Sequence, residues 1–102
     1  MSMLRQASDV KTLAWDYAPG FHVPAHTHRR DQLVFASSGV MAVHANGSAF
    51  VVPPQRAVWI PARTRHEIDM IGRVSMRTVY LRSGLAGAMP SCCAIVHVSP
   101  LT

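Results

Sequence analysis

Asn46-Gly47 stands between two apolar runs, Val40 to His44 and Ala49 to Val52, and no other feature of the chain limits the fold so tightly. A type I′ turn needs two successive residues that tolerate positive φ, so the flanking runs are predicted to pair as a hairpin. Similar short runs rich in Val, Ile, Phe, Tyr and Trp recur along the chain, with turn signals about every ten residues. Strands are predicted around Leu13 to Tyr17, over Ala57 to Ile60 ending at Pro61, from His66 to Ile71 before Gly72, over Val74 to Arg82, and from Cys93 to Val98. Pro53-Pro54-Gln55 closes the strand before Ala57, and Ser83-Gly84 to Pro90 reads as loop. The expectation is an all-β sandwich or barrel of about eight or more strands with no long helix.

The chain has 102 residues, enough for one core and too few for two domains. Residues 1–12 read as an extension and 13–102 as the domain. No apolar run approaches the roughly 20 residues of a membrane span, and Met1 to Gln6 lack a signal peptide's apolar stretch, so a cytoplasmic location is expected. Cys92 and Cys93 are adjacent, which strains any disulfide between them, and they are expected to be reduced core thiols. The net charge of +5 comes from nine Arg and Lys11 against five acids. Apart from Arg29-Arg30 and Arg63/Arg65 the cations are scattered, with no basic helix and no aromatic ladder, so the chain itself is not expected to bind DNA. An anionic small ligand fits the same charge.

Chemistry concentrates in the histidines. On a strand, His26 and His28 point the same way about one repeat apart, which is metal-chelating geometry, and continued parity brings Gln32 to that face. His66 opens a later strand on which Ile68 and Met70 share its parity while Glu67 and Asp69 take the other, so His66 is predicted to face inward. An imidazole-rich, uncharged ligand set favours Zn or Ni. Met76, Thr78 and Tyr80 share a face and are assigned to an effector pocket beside the histidines, with plain core as the alternative for a strand of this composition. Trp59 is assigned to the same effector pocket, with a core or dimer-interface role as its plainer alternative. His22, His44 and His97 have no partners at ligand spacing. Leu33 and Phe35 on the odd face, together with sheet edges, lead to an expected homodimer.

An HxH pair alone is weak evidence. Its setting is stronger: Gly20-x5-His26-x-His28-x3-Gln32-x6-Gly39 resembles the first cupin motif, with Gln where the family has Glu. Pro61-x-Arg63-x2-His66 partly matches the second motif, with Arg63 for the usual Gly, Gln55 for the leading Gly and Met70 for the final Asn. The resemblance implies a double-stranded β-helix, a jelly-roll-like barrel, with a metal or ligand in its mouth. Arg29 to Met41, Val51 to Ala62 and Gly72 to Leu81 are further similar to the N-terminal sensor domain of AraC-type transcription regulators. That resemblance implies a small-molecule effector, with DNA contacted only through a helix-turn-helix domain outside this chain. A small metal-dependent enzyme, an isomerase or dioxygenase, is the competing expectation. A dimerisation module with an empty barrel is the third. No Ser-His-Asp arrangement supports a hydrolase.

Overall fold

The structure, a computed structural model, describes residues 9–97. Seven strands follow in order: β1 (Val10–Tyr17), β2 (His22–His26), β3 (Asp31–Ala45), β4 (Ser48–Val52), β5 (Arg56–Ile60), β6 (His66–Leu81) and β7 (Ala94–His97). The all-β expectation holds, and no long helix occurs among the described residues. β1 starts at Val10, inside the stretch read as an extension.

Among the described residues the strands number seven rather than eight or more, because runs expected to be separate are continuous. The segments on either side of Gly72 form one strand of 16 residues, and β3 runs for 15. Both long strands bend instead of breaking. Their antiparallel pairing slips between Ala36 and Val40, opposite Ile71 to Ser75, and Gly39 and Gly72 take φ of 88° and 72° at this corner. At Gly39 a Cβ would lie 2.3 Å from the Arg73 carbonyl oxygen, so the crossing of β3 and β6 admits only glycine.

The bend divides the structure into two faces. Beyond it, β6 and β3 run with β2 and β4 at the sides; before it, the order is β1-β6-β3-β5-β7. Alternation turns one face of each strand inward, where Val34, Met41, Val43, Val58, Ile60, Ile68, Met70 and Val74 form the core. The predicted hairpin is present: Asn46 and Gly47 take φ of 55° and 74°, and Ala45 pairs with Ser48.

Gln55 and Arg63, the two positions where glycine was expected by resemblance, take φ of 70° and 66°. Each holds the left-handed conformation at a cost of about 1 kcal/mol that glycine would avoid. Cys93 is buried and Cys92 exposed, so only one of the adjacent thiols is a core residue, and burial pushes the Cys93 thiol up to about 11.

Candidate functional site

His66, the first residue of β6, lies between His26 on β2 and Ala45 on β3 in the strand register. It is 2% exposed. His26 ends β2, and His28 follows two residues beyond the strand rather than on it. Strand parity alone therefore does not place His28. The Arg63 N–H donates to the His28 carbonyl oxygen at 2.7 Å, tying this loop to the Pro61–Arg65 turn that leads into His66. This backbone bond holds the His28 loop against the turn that leads into His66, and it is made whichever side chain stands at position 63.

The three rings converge. Centroid separations are 4.6 Å for His26 and His28, 4.4 Å for His26 and His66, and 5.6 Å for His28 and His66. One nitrogen from each lies within 4.8 Å of the others. His26 Nδ1 donates to the Pro24 carbonyl at 2.7 Å, and His66 Nδ1 to the Thr64 carbonyl at 2.9 Å. A carbonyl can only accept, so both protons sit on Nδ1 and both Nε2 lone pairs are left available. The buried Nε2 atoms of His28 and His66 have no hydrogen-bond partner, and neither do Gln32 Oε1 and Thr78 Oγ1. Orphaned buried polar atoms are rare in folded proteins, and four in one small barrel call for a missing partner. Burial, with the neighbouring His26 charge, lowers the His28 pKa. Burial also lowers that of His66, against the raising effect of the Thr64 carbonyl. Both rings are kept neutral, the state that binds a metal ion.

Gln32 is buried at the start of β3 with Tyr80 and Ile60 as its register partners. Thr78 and Met76 occupy the same inner face; Met76 packs into the core and Thr78 presents its orphaned hydroxyl. Tyr80 closes over His28 with ring centroids 5.2 Å apart. Trp59 does not belong to this group. Val58 and Ile60 face the core, so Trp59 lies on the opposite face of β5, opposite Leu33 and Ala94, where its Nε1 donates to the Pro90 carbonyl at 2.9 Å. Its burial comes from the loop before β7, and its plainer alternative as a packing residue fits that position.

The profile of the cupin domain matches residues 13–81. The chain belongs to the cupin family. It is also similar to the HTH-type transcriptional regulator NimR of Escherichia coli (strain K12), with 32% identity over 78 residues. The match takes in 76% of this chain and 28% of that regulator, so this cupin corresponds to little more than a quarter of its relative's length. Among solved structures, a cupin superfamily protein from Desulfitobacterium hafniense superposes with a TM-score of 0.69 at 22% identity, covering 72% of this chain and 67% of that one. An oxalate decarboxylase variant from Bacillus subtilis superposes at 0.65 with 16% identity, over 76% of this chain and 22% of that one. These structural likenesses establish the fold.

The sequence reading missed two features of the site. Lys11 and Leu13 share the inner face of β1 with Tyr80 and Thr78 of β6 and reach the barrel mouth. The alternation Lys11-x-Leu13-x-Trp15 was the signal that could have shown it. The outer-face histidines were the other. His22 Nδ1 stands 2.6 Å from Asp69 Oδ1 and His44 Nε2 stands 3.1 Å from Asp69 Oδ2, a pairing visible only once β2, β6 and β3 are side by side. His97 closes β7 and its side chain lies outside the described residues.

Proposed function

We propose that this cupin is the effector-sensing module of an AraC-type transcription regulator, holding a divalent metal, Zn or Ni, through His26, His28 and His66, with Gln32 beside them. The observation that carries the reading is the pair of buried, unpartnered Nε2 atoms on His28 and His66, the His66 ring oriented by its Nδ1 bond to the Thr64 carbonyl and both rings kept neutral by burial. A bound ion would supply an open Lewis-acid position for an effector atom. The chain's own residues supply the rest. Tyr80 covers His28, and Thr78 and Gln32 offer unused hydrogen-bonding atoms to a bound molecule.

Similarity to NimR supports regulation over turnover. So does the placement of the acids: Glu67 and Asp69 share the outer face with His22 and His44, and the Asp31 carboxylate accepts the Ala62 and Gly84 N–H groups. None of these is positioned as a general base toward the histidines. DNA contact in this reading is made by a domain outside these 102 residues, and the module works in the cytoplasm as a homodimer. The position of β1 at the end of the strand order, with Val10 45% and Trp15 58% exposed, supports self-association. Among the described residues no helix is long and apolar enough to cross a membrane.

The test is calorimetric titration of untagged, chelator-treated protein with Zn and Ni. One equivalent is expected to bind, and metal at a hundred times its Kd is expected to stabilise the fold by about 2.7 kcal/mol. Absence of stoichiometric binding together with an unchanged Tm would remove the metal from the reading. Metal-dependent turnover of a small substrate would replace the sensor by an enzyme.

A further inference from the structure

We propose that the basic mouth of the barrel, where Lys11 and Arg29 flank His28 and Tyr80, binds the oxyanion group, carboxylate or phosphate, of a small organic effector whose remaining part extends toward the histidine cluster. The inference rests on the sensor reading only in taking the bound molecule to be the effector.

The mouth is a cavity of about 360 Å³ lined by Lys11, Leu13, His28, Arg29, Arg30 and Tyr80. Its charge is one-sided. Nearby acids are already committed: Asp31 to the Ala62 and Gly84 N–H groups, and Asp9 to Arg82 Nε at 2.8 Å. Among the described residues, Lys11 and Arg29 have no ion-pair partner. A larger hollow of about 580 Å³ beside the β3–β4 turn carries Arg65 and Glu67, charges of both signs, and has no such bias.

Strand register supplies the path inward. Lys11 stands opposite Tyr80, and Tyr80 opposite Gln32, so one inner-face row leads from the rim lysine to a buried amide oxygen with no partner. Arg29 follows His28 directly in the chain, so its guanidinium and an imidazole of the cluster belong to the same loop. A guanidinium fork matches the two oxygens of a carboxylate or phosphate, and an ammonium adds a point charge. Leu13 and the Tyr80 ring give the carbon skeleton an apolar wall. Any divalent ion held by three neutral imidazoles keeps its charge uncompensated, which favours an anion further. The cavity lies at the small end of the range for ligand pockets, so a compact acid fits it best.

The experiment is calorimetry on the metal-free and the zinc-loaded chain. The probes are malate, succinate, glycerol 3-phosphate and inorganic phosphate, with malamide and glycerol as uncharged counterparts. At least one organic anion is expected to bind about tenfold or more tightly than its uncharged counterpart. Lys11→Met and Arg29→Gln, both on exposed positions, are each expected to weaken that anion about tenfold, leaving malamide binding and Tm unchanged. The malate and glycerol 3-phosphate arms tell carboxylate from phosphate. Equal affinity for malate and malamide, anion binding unaffected by both substitutions, binding of inorganic phosphate alone, or no anion binding up to about 10 mM would each overturn the proposal. Zinc binding without anion binding overturns this site and leaves the metal reading standing. Anion binding that depends on Lys11 in a chain that takes no zinc does the reverse.

Discussion

β2, β6 and β3 carry histidines on both faces, and the two faces treat them in opposite ways. On the outside, His22 and His44 grip the two oxygens of Asp69, and His22 also lies 3.7 Å from Glu67. On the inside, His26 and His66 spend their Nδ1 protons on backbone carbonyls, and the buried Nε2 atoms of His28 and His66 have nothing to bond. The same side chain on the same sheet is a satisfied surface group in one case and an unfinished coordination shell in the other. Carboxylates decide the matter. Strand alternation sends Glu67 and Asp69 outward with the surface histidines and leaves the inner three in a neutral, partly dry space.

The sharpest way to break this contrast is to remove one histidine from each face. His66→Ala deletes a buried ligand, and zinc affinity is expected to fall by a hundredfold or more, on the order of 2.7 kcal/mol or above. His22→Ala should leave zinc affinity within about twofold, because surface imidazoles tied to a carboxylate do not contribute to the inner site. Calorimetry on the two variants checks both. A larger zinc loss in His22→Ala than in His66→Ala would move the metal centre to the outer face. His28→Ala, in a loop outside the strands, should lose the metal while circular dichroism still reports the barrel.

A second prediction uses the orphaned hydroxyl. Thr78 is 1% exposed and its Oγ1 has no partner, so the metal-free fold carries the desolvation of an unpaired hydroxyl. Thr78→Val keeps the shape and removes that group, and is expected to raise stability by about 1 kcal/mol in urea denaturation of the metal-free protein. If Thr78 contacts the effector, the same variant binds it more weakly. A loss of stability would mean that the hydroxyl has a partner in solution.

The inner face is largely legible in the amino-acid sequence, because Ile68 and Met70 give His66 its direction, whereas His28 lies beyond the end of β2 and is held by the Arg63 contact rather than by strand parity. Gln32 follows from the same parity, although the chain leaves the strand at His26 and the inward direction of Gln32 comes from β3 instead. What local pattern hides is long-range. Trp59 reads as a pocket aromatic until the loop before β7 is seen to cover it, and the Asp69 clasp joins residues 25 and 47 positions apart. Nor does local pattern reveal that Gln55 and Arg63 hold a glycine conformation, since propensity argues against positive φ at both. Both stand at the third position of a tight turn, closed by the Arg56 N–H on the Pro53 carbonyl and by the Thr64 N–H on the Pro61 carbonyl, where a positive φ is needed whichever residue supplies it.

Acid titration separates the two faces. His28 and His66 are held below their ordinary value of 6.5, so near and under that pH the unfolded chain takes up protons that the folded chain refuses. Stability of the metal-free protein is therefore complete above about pH 6.5 and declines as pH falls below it. Asp69 is shifted down from 3.8, first by the His22 hydrogen bond, so its contribution is present above that value and is lost only as pH falls through its lower folded value. Urea midpoints between about pH 3 and 8 should accordingly show two separate limbs. His66→Gln should flatten the one beginning near 6.5, and Asp69→Asn should flatten only the more acid one. The second effect is the smallest expected, because Asp69 is a surface group and salt screens it, so about 0.5 M NaCl should shrink the acid limb and leave the upper one in place. An upper limb that vanished in salt, or in Asp69→Asn, would mean that the outer clasp controls both, and the distinction between the faces would fail.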